Sequence, residues 1–145
     1  MSFEDLPQNW THLPLSTPGL AVDVVDLVLR ESMRAEDTLL LLPCDEHDIA
    51  YPSPIAIAEV EWSAPEEERR EILAALAGIG VPSVAVAVSS SHRLPDELVR
   101  RWHSDVESAF SAAGTRLIGF FCGWPFSVEQ VELEPAGSSP DPWAA

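Results

Sequence analysis

The segment Val84-Ala85-Val86-Ala87-Val88 constrains the fold more than any other stretch of this chain. It is too short for a helix, and valine at every second position favours extended backbone. Apolar on both of its faces, it reads as a central strand that needs cover on both sides. Thr38-Leu39-Leu40-Leu41-Leu42 is a second short apolar run. Leucine suits helix and strand alike, but the length and the following Pro43 favour a buried strand. Ile55–Trp62 alternates, with Ala58, Val60 and Trp62 facing one way and Ile57, Glu59 and Glu61 the other. That period of two predicts a strand with one wetter face, paired antiparallel with the leucine run. Arg116–Cys122 supplies a further strand, and Val128, Val131 and Leu133 a weaker one at an edge.

Helical patterns lie between these runs. Thr17-Pro18 predicts a start, with Thr17 as N-cap, for a helix running to about Ser32. Its apolar stripe is Leu20, Val24, Leu27 and Val28, and Asp26 and Arg30 are spaced to pair on its surface. Ser63-Ala64-Pro65-Glu66 has the form of a capping box. It opens a helix buried through Ile72, Leu73 and Leu76 and stopped by Gly78 or Gly80. A third helix from about Pro95 to Ala113 carries Val99, Trp102, Val106, Ala109 and Phe110 on one face, with Gly114 as its stop.

Helix, strand, strand, helix, strand, helix, strand and edge strand describe an α/β (α+β) three-layer sandwich, a mixed β-sheet with helices on its faces. The 145 residues suit one domain. Residues 1–16 read as an extended lead-in, 17–134 as the single domain, and 135–145, rich in Pro, Ser and Gly, as a flexible tail.

Charge narrows the partners. There are 24 acidic residues against 8 basic ones, all arginine, for a net charge of −16. Such a surface repels nucleic acid, whose binding depends on neutralising phosphates, and anionic membranes likewise. A basic protein partner, or a cation, is better matched, and the plainer reading, favoured here, is that the surface acid serves solubility alone. The first residues have neither a basic segment nor an apolar core, and no apolar run approaches the ~20 residues of a membrane span. With only Cys44 and Cys122, both expected as buried thiols, the chain reads as cytoplasmic.

Three constellations carry candidate chemistry. Cys44 and His47 are spaced like two zinc ligands, but a zinc site needs three or four, so a polar turn with one buried thiol is the better reading. Ser89-Ser90-Ser91-His92 joins the central strand to a helix, where backbone N–H groups can bind an anion. It lacks the glycines of a phosphate loop, which favours serines that merely cap the helix. Of the five tryptophans, Trp62 and Trp102 have core explanations. Trp10, Trp124 and Trp143 do not, and they are candidates for a partner surface.

The element order over residues 18–123 resembles the JAB/MPN fold, in its RadC-like branch. That family's metal motif, H-x-H, seven residues, then S-x-x-D, falls here on His92-Arg93-Leu94 and, seven residues on, Trp102-His103-Ser104-Asp105. His92 and Asp105 take the places of the first histidine and the aspartate, while Leu94 and Trp102 replace the second histidine and the serine. The family's general-base glutamate would be Glu59 or Glu61. Losing one ligand to leucine leaves two of the three protein ligands a catalytic zinc needs, which implies a member without the family's hydrolysis.

The leading expectation is therefore a non-enzymatic protein-interaction or regulatory domain without cofactor. The alternative is a zinc hydrolase with an atypical JAB-like site, using His92, Asp105 and a ligand such as His103 or the Cys44–His47 turn. A third reading is a small-molecule binder that holds an anion on Ser89, Ser90 and Ser91.

Overall fold

A computed structural model describes residues 8–29, 36–125 and 127–131. Five strands form one mixed sheet: β1 (Thr38–Cys44), β2 (Ile55–Ile57), β3 (Ser83–Ser89), β4 (Arg116–Trp124) and β5 (Ser127–Val131). Their order across the sheet is β2-β1-β3-β4-β5, so the valine–alanine strand is central. Only β3 and β4 run parallel; every other neighbouring pair is antiparallel. Helices α2 (Glu66–Ala77) and α3 (Asp96–Ala112) cover one face, and α1 (Leu20–Val28) covers the other. The three-layer α+β sandwich with a mixed sheet is thus present.

Side-chain size is sorted between the two faces. Val84, Val86 and Val88 point toward α2 and α3 with Leu39, Leu41, Phe120 and Cys122. Ala85 and Ala87 point toward α1 with Leu40, Leu42, Cys44 and Phe121. Helix α1 comes closest to β4 and β5, where Gly123 leaves room for the Leu29 side chain, while the bulkier face fills the space beneath two helices. On that bulkier face, Trp62 and Trp102 meet edge to face at 5.1 Å. Each indole N–H is satisfied by a main-chain carbonyl: Trp102 donates to Trp62 at 2.8 Å and Trp62 to Ser89 at 3.2 Å. Both tryptophans are core residues, as expected.

Local signals were overridden at several points. The lead-in is not extended throughout: Trp10–His12 forms a 3-10 turn, and Leu15 is buried. Helix α1 starts at Leu20, because Gly19 at φ 80° sits ahead of it and the Leu20 N–H bonds back to Thr17. The expected partner of Asp26, Arg30, lies outside the described residues, as do Leu133 and residues 135–145. Helix α2 is entered through Pro65 with no side-chain cap, so Ser63 does not close a box with Glu66. The turn over 61–64, closed by the Ala64 N–H on Glu61, holds Ser63 at the surface instead.

The alternating stretch also breaks. Ile55 and Ile57 pair with Leu41 and Leu39 and pack into the α2/α3 face. Two residues later Glu59 takes φ 59°, and Val60 and Trp62 are the next to be buried. A left-handed residue switches the phase of the alternation, so β2 is three residues long and Ile57, Val60 and Trp62 share one face. At the far end of the sheet, Gly114 at φ 79° closes α3 and lets the Thr115 N–H return to Phe110 at 2.8 Å.

Candidate functional site: an apolar groove between Trp10 and Tyr51

The chain after β1 folds back along that strand. Asp45 accepts the His47 and Ile49 N–H groups on Oδ1, at 2.8 and 3.0 Å, and so shapes the turn. Ala50 then bridges Cys44, and the Tyr51 N–H donates to Pro43 at 2.9 Å. Tyr51, Pro52 and Pro54 are thereby carried to the rim of the α1 face. The 3-10 turn brings Trp10 to the same place. Between them lies a groove of about 390 Å³, walled by Val24 and Val28 of α1 and by Leu42 and Ala50. Tyr51 is 44% exposed, which leaves an aromatic ring beside an apolar wall. Thr11 and His12 are its polar neighbours.

One buried carboxylate ties this region together. Asp48, at φ 66°, accepts the Ser83 hydroxyl at 2.8 Å and two guanidinium bonds from Arg116, at 2.5 and 3.0 Å. Ser16 adds a side-chain bond, and the Asp48 carbonyl accepts the Leu15 N–H at 2.8 Å. The Arg116 hydrogen bond is the largest influence holding the Asp48 carboxyl below the usual carboxylate range. The segment that bears Trp10 is thus anchored to the β1 turn, β3 and β4 at a single residue.

Trp10 and Trp124, expected to lack core roles, each pack partly against the core, on opposite faces of the sheet. Trp10 walls the groove, whereas Trp124 closes β4 with the Arg93 guanidinium 5.6 Å above its ring. Trp143 lies outside the described residues.

Ser89 and Ser90 are buried and donate into the protein. Ser89 bonds the Glu36 and Thr38 carbonyls, at 3.3 and 3.4 Å, and Ser90 bonds Asp37 at 2.8 Å. The Ser90 N–H goes to Gly123, so of the three serines only Ser91 faces solvent, in contact with His92 at 3.3 Å.

The positions that resemble a metal motif have different surroundings. His92 is exposed, while Leu94 and Trp102 are core residues. Asp105 holds Arg69 at 2.7 Å, which joins α3 to α2, and Arg69 also reaches the Ala64 carbonyl. His103 is stacked on Phe120 at 4.6 Å, inside the sheet–helix layer. Glu59 and Glu61 are both exposed. Cys44 and Cys122 lie on opposite faces of the sheet, and burial pushes the Cys44 thiol up to about 12. Among the described residues no three His, Cys, Asp or Glu side chains are grouped to hold a metal ion.

Sequence reasoning picked out Trp10 but missed Tyr51, Pro52 and Pro54. The signal was present, since the chain's one tyrosine stands against a Pro-x-Pro step in a long connection. No family model, curated protein or solved structure matches this chain. No helix among the described residues is long and apolar enough to cross a membrane.

Proposed function

We propose that this chain is a non-enzymatic interaction domain whose Trp10–Tyr51 groove takes an apolar anchor from a basic protein partner. The observation that carries the reading is the groove itself, an exposed aromatic ring beside an apolar wall on an otherwise highly charged molecule. Aromatic side chains at the margin of such a depression supply contact area at low entropic cost and dominate many interfaces. The groove's titratable groups are His12 and Tyr51, so its chemistry is packing. The basic character of the partner follows from charge complementarity: a field of −16 speeds the approach of cations and repels anions.

The test is fluorescence polarisation against short peptides with one Leu, Phe, Trp or Pro anchor set among arginines, beside a matched set with glutamates. The arginine set should bind the full chain saturably and lose affinity with salt. Trp10→Ala or Tyr51→Ala should weaken it by roughly 30-fold, the 2 kcal/mol of an interface hot spot. Equal binding of the glutamate set, or indifference to both substitutions, would refute the reading. A dimer in sedimentation that dissolves on Tyr51→Ala would instead assign the groove to a second copy of the chain.

A further inference from the structure

On the opposite face of the sheet, beside the amino-terminal half of α3, is a second cavity of about 210 Å³. It is independent of the Trp10–Tyr51 groove. Beneath it lie Val99 and Cys122, both almost fully buried, and the partly exposed Val131, continuous with the α2/α3 core. Gln130 and four charged side chains complete the lining, the charges two of each sign: Arg93, Arg100, Asp96 and Glu129.

These charges are not equivalent. Arg93 is already held by both carboxylates, Asp96 at 2.8 Å and Glu129 at 2.5 Å, and it lies over Trp124. Arg100 is different. Among the described arginines, Arg69, Arg70, Arg93, Arg101 and Arg116 each grip a carboxylate, and Arg100 grips none. In a chain with three acids for every arginine, a guanidinium left over beside an apolar floor is an anchor point. The carboxylates around Arg93 outnumber it and form a negative pole against the same floor.

We infer that this cavity binds a small zwitterion, an α-amino acid with a short aliphatic side chain. Its carboxylate meets Arg100, its ammonium meets Glu129 or Asp96, and its side chain rests on Val99, Cys122 and Val131. Charge selects the class. A simple anion is opposed by the field of the whole molecule, and a simple cation would leave Arg100 unmatched. A zwitterion carries no net charge into that field and answers both poles. Size agrees, since the cavity is smaller than the roughly 300 Å³ at which sites for drug-sized ligands begin.

The experiment titrates the full chain with L-leucine, its carboxamide and its deaminated acid, following amide shifts of Val99, Cys122 and Val131 by NMR. Leucine should saturate with a Kd on the order of 1 mM, and each analogue should bind about tenfold more weakly. Arg100→Gln, at an exposed helix position, should weaken leucine by about tenfold without changing the unfolding midpoint. Absence of saturable leucine binding would overturn the assignment. Equal binding of the deaminated acid would remove the ammonium pole, and equal binding of the carboxamide or indifference to Arg100→Gln would remove Arg100. Either result would also overturn it.

Discussion

Replacing Asp48 with Asn tests how the groove is held. Asparagine keeps the size of the side chain and tolerates the left-handed backbone at φ 66°, so backbone strain is not added. What goes is the charge and one of two acceptor oxygens, which now serve Ser83 and both Arg116 bonds. Hydrogen bonds to a charged group contribute about 1.5–3 kcal/mol when shielded. Here the carboxylate end is 9% exposed but the guanidinium end is 56% exposed, so solvent screens much of the pair. The expected loss is about 1–2 kcal/mol, or about 3–6 °C in Tm for a chain of this size. Chemical and thermal unfolding of both proteins at pH 7 measure it directly.

The pH dependence gives a second arm. Asp48 is held below its ordinary range in the folded state, so its contribution is complete above the unfolded value, about 3.9. It is lost as pH falls through the lower folded value. The gap between wild type and Asp48→Asn should therefore be level from pH 7 to about 5 and shrink below about 4. No gap at pH 7, or a gap that widens in acid, would refute this account of the clamp.

Other outcomes follow from the core and the backbone. Trp102→Phe removes the N–H that satisfies the buried Trp62 carbonyl and leaves a void, at a cost of about 2–4 kcal/mol in urea unfolding. A loss well below that range would mean the tryptophan pair does not organise this face. Glu59→Gly should unfold within about 0.5 kcal/mol of wild type, while Glu59→Val should lose about 1–2 kcal/mol at the left-handed position. Equal stability of the two variants would contradict the phase switch after β2. Both thiols are buried on opposite faces, with Cys44 pushed up to about 12, so a thiol reagent at pH 8 should label only as the chain opens. Prompt labelling of the native protein would contradict that placement.

The layer order was legible because it depends on short-range facts. Val84–Val88 is apolar on both faces, and only a central strand between two layers satisfies that. The sorting of valines and alanines to opposite sides was written in the same five residues. The breaks were hidden for a related reason. Ile55–Trp62 alternates on paper, yet one residue with positive φ reverses its parity, and no residue type announces that at Glu59. At α2 the fixed φ of Pro65 supplied the entry, so an adjacent Ser-x-x-Glu pattern went unused.

The groove was half legible. Trp10 stood out as an aromatic with no apolar stripe to join. Tyr51 did not, because its place beside α1 comes from the fold-back of the 45–51 segment along β1, a tertiary event. Arg100 is a similar case, since its lack of a carboxylate partner among the described residues appears only beside the pairing of Arg69, Arg70, Arg93, Arg101 and Arg116.

The claim that the groove is the interaction surface is tested most directly by NMR of the full chain with an arginine-flanked leucine peptide. The account predicts shifts concentrated on the Trp10 indole N–H and the amides of Val24, Val28, Ala50 and Tyr51, growing smaller as salt is added. Shifts confined to the Trp124 end of the sheet, or spread evenly over the acidic surface, would contradict it.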